Sequence, residues 1–71
     1  MHLTINGEAR TVTAPMSVFQ LLGDLGLDQR KVAVERNLEI VPRSTYERVA
    51  LTDGDKLEIV HFIGGGLPEG A

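Results

Sequence analysis

Residues 56–66 read KLEIVHFIGGG, and this stretch decides the fold. Its first eight residues are the most β-prone segment of the chain, because branched and aromatic side chains dominate them. They predict a long final strand whose inward residues, Leu57 and Ile59, face a helix. Three glycines follow at once and predict an abrupt end to ordered structure. The chain therefore divides into a domain over residues 1–63 and a flexible glycine-rich C-terminal tail over residues 64–71.

The helix that covers this strand is predicted to begin at Ser17. Ser17 and Gln20 have the spacing of a capping box, in which each side chain bonds the other residue's backbone N–H. One apolar stripe with helical spacing follows, formed by Val18, Leu21, Leu22 and Leu25. Gly26 predicts the end of the helix in a left-handed conformation. Gly23 costs the helix about 1 kcal/mol relative to alanine, and the sequence leaves open whether it permits close contact with the sheet.

Four shorter stretches predict the remaining strands. Leu3 and Ile5 alternate with polar residues, and the Asn6-Gly7 pair after them is a strong hairpin signal. The return strand is expected over 9–13 with an unsettled register, because Arg10 and Val12 share one face. A third strand is predicted over 32–34 and a short fourth over 39–41, which Pro42 ends for want of an amide donor. Residues 44–51 are expected to be irregular and anchored by Tyr46, Val49 and Leu51.

These elements predict an α+β protein with the β-grasp arrangement, in which one helix packs on one face of a mixed four- to five-stranded sheet. The chain has 71 residues, of which 42% are apolar. This is enough for one thin core in one domain, and it leaves no room for a large active-site cleft.

Composition and charge exclude several classes of functional site and partner. There is no cysteine, which excludes a disulfide, a thiolate metal site and a thiol nucleophile. The net charge of −3 argues against nucleic-acid binding. No apolar run approaches the roughly 20 residues of a membrane span, and the first residues do not resemble a signal peptide. We expect a cytoplasmic protein that binds neither nucleic acid nor membrane.

The polar residues predict no enzyme. No pair of a nucleophile and a base stands out, and no group of metal ligands does. His61 shares the inner face of the last strand with Leu57 and Ile59, so a structural or partner-contacting role is favoured over a ligand role. His2 could come close to His61 if the first and last strands pair, but two imidazoles without a carboxylate make a poor zinc site. We expect no metal and no cofactor bound by the chain.

The tail and the last strand are the candidate functional parts. The glycines Gly64 to Gly66 fit either a frayed terminus or a thin thread that enters a narrow channel in a partner. Val60 and Phe62 point away from the helix and suggest a docking surface. Two other interpretations of that pair stay open: a loop over 42–49 covers them, or a bulge changes their facing.

Several short motifs follow one another in a specific order and spacing. These motifs are the Asn6-Gly7 hairpin, the segments VERN (34–37) and IVPR (40–43), Tyr46, and the stretch DGD (53–55) that leads through EIVHFI (58–63) to the three glycines. Together they resemble the ThiS family, the ubiquitin-like sulfur carriers of thiamine biosynthesis. The resemblance runs from Met1 to Gly66.

The resemblance implies a function as a protein co-substrate. A ubiquitin-activating-type adenylating enzyme (ThiF-like) would use ATP and magnesium to adenylate the carboxylate of Gly66. Sulfur from a donor such as a cysteine desulfurase would then give a thiocarboxylate, which passes sulfur to thiazole synthase (ThiG-like). Gly64 and Gly65, with Val60 and Phe62, are expected to contact the partners. Three alternatives stay open: a carrier for molybdopterin or another sulfur-containing product, a ubiquitin-like protein modifier, and a binding module whose glycine tail has no role.

The chain departs from the family pattern after Gly66, because residues 67–71 (LPEGA) follow it. While they remain, the carbonyl of Gly66 is part of an amide and cannot be adenylated. Three explanations stay open: an extension that a protease removes at Gly66-Leu67, residues foreign to the natural protein, or a form that is inactive as a carrier.

Overall fold

The computed structural model of the protein describes residues 1–13, 15–63 and 67–70. Within these ranges the chain forms six strands, one α-helix and two single-turn 3-10 helices, in the order β1 (His2–Ile5), β2 (Glu8–Thr11), α1 (Val18–Asp24), a 3-10 turn (Gln29–Lys31), β3 (Val32–Arg36), β4 (Glu39–Ile40), a 3-10 turn (Arg43–Thr45), β5 (Lys56–Ile63) and β6 (Leu67–Gly70). No helix in these ranges is long and apolar enough to cross a membrane.

The strands form one mixed sheet in the order β2-β1-β5-β3-β4, and β6 adds to β5. Strands β1 and β5 run parallel, whereas every other pair is antiparallel. The predicted fold, a mixed sheet with one helix, is confirmed over the five strands of the main path. The sixth strand was not predicted from the sequence.

One helix covers one face of the sheet. Its buried residues meet the inward side chains of β1, β3 and β5, and the core consists of Leu3, Ile5, Val18, Leu21, Leu22, Val32, Val34, Val41, Tyr46, Leu51, Leu57 and Ile59. The predicted facing of Leu57 and Ile59 is confirmed, since each is only 1% exposed. Strand β5 therefore starts inside the core, which fixes its position before the chain reaches the glycines.

Both ends of the helix follow the sequence rules. The Ser17 hydroxyl accepts from the N–H of Gln20 at 3.1 Å, and the Gln20 side chain accepts from the N–H of Ser17 at 2.9 Å, so the predicted capping box is confirmed. At the other end Gly26 has a φ of +73°. The N–H of Leu27 donates to the carbonyl of Leu22 at 2.9 Å across this turn, which is the bond that closes a Schellman motif.

The two helix glycines make opposite predictions. Replacing Gly23 with alanine should raise the free energy of unfolding by about 0.5–1 kcal/mol, because a Cβ built there meets no atom within 4 Å. Close contact with the sheet is thus not the reason for this glycine. Replacing Gly26 with alanine should lower the same free energy by about 1 kcal/mol, because its φ is positive. Urea denaturation measures both, and shifts of the same sign would contradict the assignment.

The segment between β4 and β5 packs as predicted, although it has little regular structure. Tyr46 and Leu51 are buried, and Val49 is half-buried against the same core. The carbonyl of Val49 accepts the N–H of Val18 at 3.0 Å, and the carbonyl of Tyr46 accepts that of Phe19 at 3.0 Å. The segment thus lies on the helix side of the sheet and provides acceptors for the first turn of α1.

Three strands have bounds that differ from the prediction. Strand β3 continues to Arg36 instead of ending at residue 34, because its last two residues pair with both β4 and β5. Strand β4 ends at Ile40, one residue earlier than expected, because Val41 turns into the core and its N–H donates to the carbonyl of Val34 at 2.9 Å. Strand β2 is Glu8–Thr11, and its register places Arg10 opposite Leu3. Arg10 thus lies on the helix side of the sheet, where it stays exposed because β2 is an edge strand beyond the cover of the helix.

Candidate functional site

The candidate site is the outer half of β5, from Val60 onward, and the chain that follows it. Strand β3 flanks β5 along Leu57 to His61, whereas β1 pairs with it only at Lys56 and Leu57. The first half of β5 is therefore held on both sides within the core. The second half extends past the end of β1 toward the glycines.

A buried carboxylate fixes the start of β5. Asp55 is 4% exposed. Its oxygens accept from the backbone N–H of Thr52 at 2.8 Å, from Arg36 Nε at 2.8 Å and from Asn37 Nδ2 at 3.0 Å, and the Thr52 hydroxyl donates at 3.0 Å. Burial alone would raise the pKa of Asp55, but these hydrogen bonds outweigh it and hold the pKa below its ordinary value. The network joins the end of β3 to the turn before β5.

The Asp55 network was not foreseen. The sequence identifies residues 52–55 as a turn, and the partners Arg36 and Asn37 lie 19 and 18 positions away. Asn37 also accepts the N–H of Lys56 through its side-chain oxygen at 3.0 Å. The one local signal was a second aspartate directly after Asp53-Gly54, which no turn rule requires.

Asn6 holds β5 at its middle. Its side-chain oxygen accepts the N–H of Ile59 at 2.7 Å, and its side-chain nitrogen donates to the carbonyl of Ile59 at 3.1 Å. The side-chain amide of Asn6 thus makes the two hydrogen bonds to β5 that the backbone of a neighbouring strand would make, at the point where β1 has ended. The sequence explains Asn6 only as a turn residue, which its φ of +50° confirms.

Val60 and Phe62 lie on the sheet face opposite Leu57 and Ile59, and both are half-buried. Val60 pairs with Ala33 of β3. The loop over 42–49, which could have covered them, packs through Tyr46 and Val49 against the core on the helix side. Their role in partner binding stays a prediction.

His61 lies on the helix side and helps to line a surface groove of about 310 Å³. Ile5, Leu27 and Ile59 form its apolar part, and Glu8 and Arg10 form its charged rim. His2 lies at the opposite end of the sheet, where its carbonyl accepts the N–H of Gly54 at 2.7 Å. The parallel pairing of β1 with β5 separates the two histidines, and no group of three candidate metal ligands occurs in the described part of the chain.

Exposed apolar side chains lie on the β3–β4 hairpin, and the sequence did not indicate them. Leu38 is 90% exposed and Ile40 is 76% exposed. Leu38 has a φ of +71°, a conformation that branched and bulky residues rarely adopt. The signal that could have found them is the pair Asn37-Leu38 at the tip of a very short hairpin.

The glycines Gly64, Gly65 and Gly66 lie outside the described residues. The backbone of Leu67–Gly70 forms β6, which pairs with Val60 to Ile63 of β5. The sequence predicted a flexible tail over 64–71, and the described part of that range is a strand. The proposed boundary after residue 63 and the predicted role of the glycines stay predictions.

Comparison with known proteins gives a consistent result. The ThiS family model matches residues 3–66. A thiazole synthase of Paramagnetospirillum magneticum is 70% identical over 66 residues, which cover 93% of this chain and 20% of that protein. The sulfur carrier protein ThiS of Bacillus subtilis is 46% identical over 50 residues, which cover 70% of this chain and 76% of that protein. The chain therefore spans about a fifth of the first relative and most of the second.

A solved structure agrees. The crystal structure of the thiamine biosynthesis protein ThiS from Geobacter metallireducens matches with a TM-score of 0.80 and 38% identity, covering 93% of this chain and 100% of that one.

The central parallel pair β1–β5, the sheet order and the single helix define a small ubiquitin-like β-grasp protein. The chain belongs to the ThiS family, whose matched members here are a sulfur carrier protein and a thiamine biosynthesis protein. The resemblance seen in the sequence is confirmed.

Proposed function

We propose that Gly66, once it is a free C-terminus, carries sulfur as a thiocarboxylate and donates it to thiazole synthase. The observation that supports this most strongly is the extent of the family match, which ends at Gly66. These 71 residues also contain no cysteine. They therefore offer no thiol on which to hold sulfur, which supports the main-chain carboxylate as the position that carries it.

The proposed chemistry starts from a poor electrophile. The Gly66 carboxylate attacks the α-phosphate of ATP on an adenylating partner (ThiF-like), and pyrophosphate leaves. ATP and magnesium belong to that partner. The product is an acyl-adenylate, whose AMP is a good leaving group. A cysteine-derived persulfide on the sulfur donor then attacks the acyl carbon and AMP departs, which gives an acyl disulfide. A thiol of a partner cleaves its S–S bond, and the thiocarboxylate is released for transfer to thiazole synthase (ThiG-like) while the two partner sulfurs remain as a disulfide.

The fold supports delivery of a terminus. Asp55 fixes the start of β5 and Asn6 fixes its middle. The direction in which the strand leads out of the core, toward the glycines, is therefore fixed as well. Gly64 and Gly65 lack side chains, which suits a backbone that must enter a narrow channel in a partner. Val60 and Phe62, on the open face beside that exit, are proposed to contact the partner.

The test is intact mass after incubation with ATP, magnesium, an activating enzyme and a sulfur source. The mass of a chain that ends at Gly66 should increase by the difference between one sulfur atom and the oxygen atom that it replaces. The 71-residue chain should not, unless a protease first cuts the Gly66-Leu67 bond. Equal conversion of both chains, with Leu67 to Ala71 still attached, would contradict the assignment of Gly66.

A second arrangement is favoured by the thiazole synthase relative. Its 70% identity extends over 66 residues, yet they are only 20% of that protein. This supports a carrier domain that is continuous with its own acceptor enzyme, with residues 67–71 as part of the connection. An antibody against the domain distinguishes the two arrangements in cell extract: it detects a species of 7.7 kDa or smaller, or one about five times longer. The relatives' names favour thiamine over molybdopterin in either case.

A further inference from the structure

The backbone of β5 has two edges with different partners. Lys56 faces β3, since its carbonyl accepts the N–H of Asn37 at 2.7 Å. Leu57 faces β1, since its carbonyl accepts the N–H of Asn6 at 2.9 Å. Ile59 faces the same side and bonds the Asn6 side chain through both its N–H and its carbonyl. Because strand residues alternate, the backbone groups of His61 and Ile63 also point to the β1 side.

Strand β1 cannot serve these last two residues. Its pairing with β5 ends at Ile5 and Leu57, and the Asn6 side chain extends it only as far as Ile59. The chain then turns at Gly7 into β2, which lies on the far side of β1. The backbone edge at His61 and Ile63, which we call the acceptor edge, is therefore left for another strand. Such an edge readily takes up an extended segment.

Strand β6 fits this edge by its register. His61 pairs with Glu69 and Ile63 with Leu67, so both positions on the acceptor edge have a partner in β6. Phe62 pairs with Pro68, and the backbone of Phe62 points toward β3 instead. Proline lacks an N–H and is tolerated in a strand only where no ladder bond is needed. Pro68 thus occurs at a position where its missing donor costs no hydrogen bond to β5.

We propose that the acceptor edge is a strand-docking site for the chain's own segment Leu67–Gly70, which stays docked until it is removed. The functional consequence of this docking rests on the proposed function. A cut after Gly66 would free the acceptor edge in the same step that creates the reactive terminus. A partner that pairs with this edge would then discriminate the cut chain from the uncut one.

Backbone amide exchange in the 71-residue chain tests the docking without any partner enzyme. Glu69→Pro removes the N–H opposite His61, whereas Glu69→Ala keeps it and removes only the carboxylate. We expect Glu69→Pro to accelerate exchange of the His61 and Ile63 amides by about tenfold or more, as for local opening. Glu69→Ala should leave them unchanged. The Val60 amide faces β3 and should exchange at one rate in all three chains.

Two outcomes would overturn the proposal. One is equal exchange of the His61 and Ile63 amides in the unaltered chain and Glu69→Pro. The other is equal acceleration by Glu69→Pro and Glu69→Ala, which would assign the effect to the side chain. A chain ending at Gly66 should reproduce the Glu69→Pro rates. Failure here leaves the sulfur-loading test untouched, and failure of sulfur loading leaves the docking result intact.

Discussion

Replacing Gly65 with valine, in a chain that ends at Gly66, is expected to lower kcat/KM for adenylation by about 100-fold, the scale on which misplacing a reacting group acts. The reason is steric. A branched side chain next to the terminal residue would prevent the carboxylate from reaching its place in a narrow channel. The measurement is pyrophosphate release at several carrier concentrations, with the activating enzyme held constant.

Gly65→Ala is the matched control, because it adds one methyl group where valine adds three carbons. An intermediate loss is expected, which would identify side-chain size as the cause. Folding should be unaffected in both variants, since the described core ends at Ile59, and the urea midpoint checks this. Adenylation of the valine variant at the original rate would mean that no narrow channel exists.

Replacing Asp55 with alanine is expected to lower the free energy of unfolding by about 3 kcal/mol. The substitution leaves Arg36 and Asn37 without the acceptor that they share, and it removes the acceptor of the Thr52 N–H. Asp24→Ala is the control, because Asp24 is an exposed carboxylate at the end of the helix, and it should change stability by less than about 0.5 kcal/mol. Urea denaturation at neutral pH measures both variants, and similar small losses would show that the network contributes little.

The same carboxylate makes stability depend on pH. The pKa of Asp55 is lowered in the folded protein, so folding favours its charged form. Its contribution is complete above its ordinary pKa of 3.8 and is lost as pH falls through the lower folded value. Asp28, whose pKa the Arg30 side chain lowers to about 2, acts in the same direction. Asp28 contributes equally to the unaltered chain and to Asp55→Ala. The difference between their free energies of unfolding therefore reports on Asp55 alone, and it should shrink as the solution is acidified.

The parts of the fold that follow local rules were predictable. The capping box at Ser17, the left-handed end at Gly26 and the Asn6-Gly7 turn each depend on residues within a few positions. The inward facing of Leu57 and Ile59 follows from strand alternation alone. Family membership was likewise predictable, because the motifs that carry it are contiguous stretches of sequence.

The site depends on contacts that no local rule contains. Asn6 and Ile59 are 53 positions apart, and Arg36 and Asp55 are 19 apart. A side chain that substitutes for a strand has no periodic signature, so Asn6 was assigned only its turn. Strand β6 was missed for another reason: a proline and a glycine in Leu67–Gly70 weigh against a strand, and only the register on β5 shows that Pro68 is tolerated.

The two ends of the chain lie on one edge of β5 in opposite directions, and this gives the molecule a mechanical asymmetry. Force that pulls on the tail would open the antiparallel pair β5–β6 from one end, so that its hydrogen bonds break one after another. Force between the N-terminus and the end of β5 would instead load the parallel pair β1–β5 in shear, so that its bonds must break together. We therefore expect β6 to separate from β5 at a lower force than β1 does.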